Sequence, residues 1–166
     1  MTNPIDILNE LEQIRAETIS RLEVLTQEQL DWKPLSENEG ENAWSLGEIF
    51  MHLAADEYYL RDLIANPLLE GVQPPKEIFF IPPPPPHGMK KDVIRFWFER
   101  ARRITRGYLE NLPSDVNLEL KHEGGLRPMN GLEWFQGYGG HEAFHHKQID
   151  SLTAQLPEGN VARIEP

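Results

Sequence analysis

The chain contains no cysteine. That absence excludes disulfides, thiolate metal ligands and a cysteine nucleophile, so any thiol chemistry needs a thiol supplied from outside. Positive charge is scarce as well: 16 Lys and Arg stand against 27 Asp and Glu, for a formal charge of -11. Such a surface repels phosphate backbones instead of releasing their counterions, and nucleic acid is not expected as a partner. Long apolar runs are missing too. No segment approaches the ~20 consecutive apolar residues that cross a bilayer, and Met1-Thr2-Asn3-Pro4-Ile5-Asp6 has neither the basic flank nor the apolar stretch of a signal peptide. The expectation is a soluble, cytoplasmic protein with no membrane partner.

What is present is an ordinary globular composition, 39% apolar and 26% charged, well away from the low-hydrophobicity corner where chains stay disordered. A length of 166 residues is that of one domain, and residues 1–166 read as a single unit. It is expected to fold alone or as an oligomer, with a homodimer as the oligomeric form.

Four segments carry helical periodicity. The first runs from about Pro4 to Leu25, with Asn3 as N-cap and Leu8, Leu11, Ile14, Thr18, Leu22 and Leu25 along one stripe. Thr26 and Gln29 then form a capping-box pattern for a short turn that stops before Pro34. In the second helix Ser45 and Glu48 form a capping box with Trp44 placed to staple onto Ile49, and Leu46, Ile49, Phe50, Leu53, Leu60 and Ile64 make its apolar face. Asn66-Pro67 is expected to end it.

From Pro67 to Met89 there are eight prolines, five of them consecutive from Pro82 to Pro86. This stretch cannot be helical and reads as an extended polyproline II spacer, long enough at ~3.1 Å per residue to travel the length of a helix. The next helix can therefore start at the opposite end and run parallel to the second. That third helix spans about Lys90 to Asn111, with Val93, Trp97, Ala101, Ile104 and Tyr108 on one stripe. Arg95, Arg100, Arg102, Arg103 and Arg106 then fall on an exposed basic face as solvated pairs with acidic neighbours. After Pro113, the alternating run Val116 to Lys121 suggests a short extended piece or small hairpin. The fourth helix starts at Asn130, with Glu133 completing a capping box and Met129 able to staple onto Trp134, and it should end near Leu156-Pro157-Glu158-Gly159. Four helices without convincing strands make an all-α helical bundle the economical architecture.

The histidines concentrate in His141-Glu142-Ala143-Phe144-His145-His146. At ~100° per residue, His141 and His145 lie one above the other on the face that carries Trp134, Tyr138, Ile149 and Leu152, and His146 is turned away. Two inward imidazoles repel if charged and need partners if neutral, and a metal ion answers both needs. The same residues satisfy His-Glu-x-x-His, the zinc protease motif with glutamate as general base. The metzincin extension of that motif fails, because positions 148 and 151 hold Gln148 and Ser151 where glycine and histidine belong. A distant glutamate ligand would have to be Glu158 or Glu165. The third ligand is sought upstream among His52, His87 and His122, since three protein ligands are the usual minimum for a catalytic zinc. Periodicity leaves the choice open: His52 flanks the apolar face of the second helix, while His87 and His122 fall in loops and read as exposed polar residues.

The stretch Leu25-Thr26-Gln27-Glu28-Gln29-Leu30 through Pro34, followed by Trp44 to Leu53, resembles the N-terminal half of DinB-like proteins. There a tryptophan, a capped helix start and a histidine about two turns in recur together. His141 to Ile149 is similar to the second signature of that superfamily, two histidines four apart followed by glutamine and isoleucine. The resemblance implies an up-down-down-up four-helix bundle with a long crossover between the second and third helices. It also implies metal ligation by His52, His141 and His145, with nickel, zinc or iron as the ion. Gly137, Gly139 and Gly140 depart from a good helix just before the ligands, so that either the helix is locally broken or another backbone packs closely there.

Three neutral imidazoles leave the ion its full charge and open positions, the layout of a catalytic site. Characterised members of the superfamily include thiol-dependent S-transferases and isomerases that use bacillithiol or mycothiol. The resemblance therefore implies a metal-dependent enzyme acting on a small-molecule substrate, a thiol S-transferase or a hydrolase. Glu142, Glu48 and Asp56 are the candidate proton carriers or partners behind the ligands. Glu48 already has a capping role, and Glu142 has an outward orientation as its simpler reading. A non-catalytic metal or small-ligand binding protein in stress response is the alternative.

Overall fold

The computed structural model describes residues 3–34, 43–76, 89–123 and 127–157. Helix α1, Pro4–Glu23, begins at Asn3, whose side chain accepts the Ile5 amide at 3.0 Å. A short helix α2, Gln27–Asp31, carries the full Thr26/Gln29 capping box. Helix α3, Leu46–Tyr59, opens on Ser45 and Glu48: Ser45 Oγ accepts the Glu48 amide at 3.2 Å, and the Glu48 carboxylate accepts the Ser45 amide at 2.7 Å. Two orphan N–H groups are thereby satisfied by residues three apart, which is why the boundary falls where the sequence places it. Helix α5, Lys91–Glu110, and helix α6, Gly131–Thr153, complete the bundle, the latter capped reciprocally by Asn130 and Glu133 at 3.0 and 2.9 Å.

The second helix does not end at Asn66-Pro67. It passes through a π-helical segment, Leu60–Ala65, directly into α4, Asn66–Leu69. The wider turn re-registers the hydrogen bonding so that Pro67 occupies a first-turn position, where its missing N–H costs little. The chain then turns at Gly71, whose φ of 79° suits a residue without Cβ. The polyproline run expected as a spacer lies outside the described residues. Between α5 and α6 the expected hairpin reduces to a single antiparallel bridge, His122 with Met129, and the described residues contain no strand.

Two apolar cores set the helix directions. One gathers Ile7, Leu8 and Leu11 from the start of α1, Leu60 to Leu69 from the second helix's end, Leu109 from the end of α5 and Leu132 to Tyr138 from the start of α6. The other gathers Leu22 and Leu25, Leu46 to Ala54, Ile94 and Phe98, and Ile149 and Leu152. The opposite ends of all four long helices meet there, so α1 and α6 run one way while α3 and α5 run the other. α1 packs on α5 and α6, and α3 packs on the same two.

Of the stripe expected on α5, Ala101 is buried and Tyr108 half-buried, but the remaining positions are off by one residue. Ile94, Phe98, Ala101, Thr105 and Leu109 are buried, whereas Val93, Trp97 and Ile104 are 37 to 39% exposed. Arg102 is buried with the correct stripe instead of joining a solvated basic face. Arg95, paired with Glu23 and Glu99, and Arg106, paired with Glu12, do form surface ion pairs.

Gly137, Gly139 and Gly140 neither break α6 nor admit a neighbouring backbone. A Cβ at Gly139 would come within 3.0 Å of Leu11 Cδ2 and 3.2 Å of Ile14 Cδ1, so α1 side chains fill that space, while Gly140 faces open space. The tightest approach is at Gly131, where a Cβ would stand 2.5 Å from both the Ala65 carbonyl oxygen and Leu69 Cγ. Gly131→Ala is therefore expected to lower stability by about 1–3 kcal/mol, and Gly140→Ala to raise it by up to about 1 kcal/mol. Thermal melts of the two variants check both signs.

Candidate metal centre

Between the two apolar cores lies a polar layer at mid-height. On one side of it, Arg15 of α1 donates to Glu142 of α6 at 2.7 Å and 3.0 Å, to Glu57 of α3 at 2.9 Å and to the Tyr138 hydroxyl at 2.6 Å. Arg102 of α5 donates to Glu57 at 2.9 Å, to Glu142 at 3.3 Å and to the Leu11 carbonyl. Thr18 donates to Glu142 at 2.6 Å, and Tyr138 to the Leu53 carbonyl at 3.0 Å. Two guanidinium groups and two carboxylates, all buried, thus join all four long helices. Burial alone would push the Glu142 carboxyl up, but the charge and hydrogen bonds of Arg15, with Arg102 behind, hold it below its ordinary value. Glu142 is therefore buried and not outward-facing, and a carboxylate so held is a poor proton acceptor. This network is what sequence reasoning missed, because charged helix residues default to the surface.

The other side of the layer holds three imidazoles. His52 of α3 and His141 and His145 of α6 bring ligand nitrogens within 4.8 Å of one another. Their rings meet edge to face, His52 with His141 at 5.4 Å and with His145 at 5.1 Å between centroids. His52 is 2% exposed and His145 fully buried, while the His141 side chain keeps 35% of its surface and opens the cluster to solvent. Trp44, just before the α3 cap, lies 5.0 Å from the His52 ring.

Each outer nitrogen of the α6 pair faces an acceptor. His145 Nδ1 lies 2.6 Å from Gln148 Oε1, and His141 Nδ1 lies 3.2 Å from Asp56 Oδ2. The inner nitrogens, Nε2 of both, then face each other at 2.9 Å. If both outer nitrogens keep their protons, two lone pairs converge on one point, an arrangement that a cation stabilises. His52 adds to this: neither ring nitrogen makes a hydrogen bond among the described residues, although Nε2 stands 3.2 Å from Asp56 Oδ2 without hydrogen-bond geometry. Buried unsatisfied nitrogens of this kind call for a further partner. Burial, followed by the neighbouring imidazoles, pulls His52 down to about 3 and His141 down to about 4. Both are neutral near pH 7, the form that ligates. The donor set therefore fits a divalent first-row ion.

These values carry a sign. In the metal-free protein, unfolded histidines take up protons below about pH 6.5 while His52 and His141 resist until about 3 and 4. The unfolded state then binds more protons, so stability is full above about pH 6.5 and is lost as pH falls from there toward 4. Urea midpoints of chelator-treated protein at pH 7.5 and 5, compared with those of His52→Phe, check this: the wild type should lose more than the variant on acidification.

Of the other candidates, Glu48 stands one turn before His52 on α3, with its carboxylate engaged by the Ser45 amide and by Lys33 at 2.8 Å. Asp56, one turn past His52, is the proposed carboxylate that the fold brings to the triad. His146 does turn away from the cluster, but into α1 and not to solvent: its Nε2 meets Thr18 Oγ1 at 2.8 Å. His122 is not an exposed loop residue; it is 2% exposed, with Nε2 2.9 Å from the Pro75 carbonyl. His87, Glu158 and Glu165 lie outside the described residues. Gln148 went unread as a site residue, although a position three beyond His145 on a helix is within reach of its ring.

No helix among the described residues is long and apolar enough to cross a membrane. Comparison with curated proteins and with solved structures returns no match. A family model described as the DinB superfamily matches residues 10–149, a span that takes in α3 and α5, most of α1 and α6, and all three histidines. The chain belongs to the DinB superfamily.

Proposed function

We propose that His52, His141 and His145 hold one divalent metal ion and that the protein is a metal-dependent enzyme, a transferase joining a small external thiol to an electrophile. The observation that carries this reading is the convergence of three imidazoles, His52 and His141 among them held neutral by burial, at a point that His141 leaves open to solvent. When bound, the ion would lower the pKa of a thiol or water brought against it and so supply a nucleophile near neutral pH. Because all three ligands are imidazoles, no ligand atom brings a negative charge of its own to the ion. Because the chain has no cysteine, the thiol comes as a co-substrate of the bacillithiol or mycothiol class.

In the transfer, a bond forms from the thiol sulfur to an electrophilic carbon and the bond from that carbon to its leaving group breaks. The thiol proton passes to the site, where Asp56 is the carboxylate in contact with two of the imidazoles, or to water. With an epoxide, the opened oxygen takes a proton up; with an activated halide, the halide departs. Nickel, zinc and iron all suit three imidazoles.

Two measurements test this. Metal analysis is expected to find about one divalent first-row ion per chain, and less than about a tenth of an equivalent after reloading with nickel and zinc would remove the site. The loaded protein is expected to accelerate attack of a small thiol on an epoxide or activated halide, with loss of the rate on adding chelator and a flatter pH profile than the free thiol shows. A metal-dependent rate on esters or amides alone would make the protein a hydrolase. The second reading, a non-catalytic metal or small-ligand binding protein of stress response, draws on the burial of His52 and His145; silence in both assays with a full complement of metal establishes it.

A further inference from the structure

We propose that Gln148 is a positioning residue for the centre: it fixes which nitrogen of His145 carries the proton and thereby aims the other at the metal. This rests on the metal reading of the triad. A neutral imidazole has one N–H and one lone pair, and the hydrogen bond made by one nitrogen decides the role of the other. Gln148 presents its amide oxygen 2.6 Å from His145 Nδ1. An amide oxygen only accepts, so the proton sits on Nδ1 and the lone pair on Nε2. That Nε2 is the atom facing His141 Nε2 at 2.9 Å, inside the cluster. Gln148 stands three residues after His145 on α6, so the same helical turn that carries the ligand carries the group that orients it.

The pairing on the neighbouring ligand differs. His141 Nδ1 faces the carboxylate of Asp56 at 3.2 Å, a charged acceptor supplied by α3, whereas His145 has a neutral acceptor supplied by its own helix. A neutral acceptor fixes the tautomer without adding negative charge behind the ring. It leaves His145 a neutral ligand, and the ion's charge is undiminished on that side.

The experiment compares wild type with Gln148→Leu and Gln148→Glu. Long-range nitrogen–proton NMR of the metal-free protein reads the tautomer of His145, and competition with a chromophoric chelator reads nickel and zinc affinity. In wild type, the His145 proton is expected on Nδ1. Gln148→Leu, close in size but without an acceptor, should shift His145 toward the Nε2–H form and weaken metal binding about 10- to 100-fold, with helical content unchanged. Gln148→Glu retains an acceptor and should restore both the Nδ1–H form and affinity to within several-fold of wild type. An Nε2–H tautomer in wild type, or wild-type tautomer and affinity in Gln148→Leu, would overturn the proposal. Should Gln148→Leu fail to fold, the wild-type tautomer and the behaviour of Gln148→Glu still decide it. If no variant nor the wild type binds metal while the tautomer shifts as described, the metal reading fails and the hydrogen-bond assignment stands.

Discussion

Glu142→Ala is expected to cost about 3–5 kcal/mol of folding stability, more than any other single truncation of a polar side chain in the bundle. Its carboxylate is fully buried and accepts from Arg15, Arg102 and Thr18. Removing it leaves two buried guanidinium groups to share Glu57, and an uncompensated buried charge is far more costly than the pair itself is stabilising. Glu48→Ala, by contrast, removes a cap and a half-exposed pair with Lys33 and is expected to cost about 1 kcal/mol. Urea unfolding of chelator-treated protein, followed by circular dichroism, separates this from any effect of metal. A loss below about 1 kcal/mol for Glu142→Ala would mean that the four charges do not form the closed network described. The network also bears on the site, since Glu142 is flanked on α6 by His141 and accepts from partners on α1 and α5, whose guanidinium groups also hold Glu57 of α3. It fixes the rotation of the helix that carries two of the three imidazoles.

The second large effect is on metal binding. His52→Ala and His145→Ala should each weaken it by about 100-fold or more, because two imidazoles fall short of the three protein ligands that a catalytic centre requires. His146→Ala should bind as wild type, since that side chain is engaged with Thr18 on the other side of the helix. Isothermal titration with nickel and zinc reads all three variants. Loss of binding in His146→Ala with retention in His145→Ala would place the centre on the wrong face of α6.

Helix starts were legible because caps are local: Asn3, Thr26/Gln29, Ser45/Glu48 and Asn130/Glu133 each satisfy backbone groups within three residues. The i, i+4 spacing of His141 and His145 placed both on the inner face of α6 for the same reason. The phase of α5 was not legible. Val93, Trp97 and Ile104 make as good an apolar stripe as Ile94, Phe98 and Leu109, and only packing against α1 and α3 selects the latter. Nor was the continuation of α3 past Pro67, since a π-helical segment leaves no periodic mark that a proline rule can see. The third ligand sat at the limit: helical phase left His52 between core and solvent, and the resemblance singled it out. Packing of α3 on α6 puts it 2% exposed against the other two. Arg15, Glu57 and Arg102 gave no sign in the sequence, because a charge is buried only when its partners come from distant helices.

The most direct test of the three-histidine centre is an anomalous difference map from crystals of nickel- or zinc-loaded protein, recorded on both sides of the metal's absorption edge. The account predicts one peak per chain, bonded at about 2.0–2.1 Å to one nitrogen each of His52, His141 and His145. A peak ligated by other residues, or none at the triad under saturating metal, would contradict it.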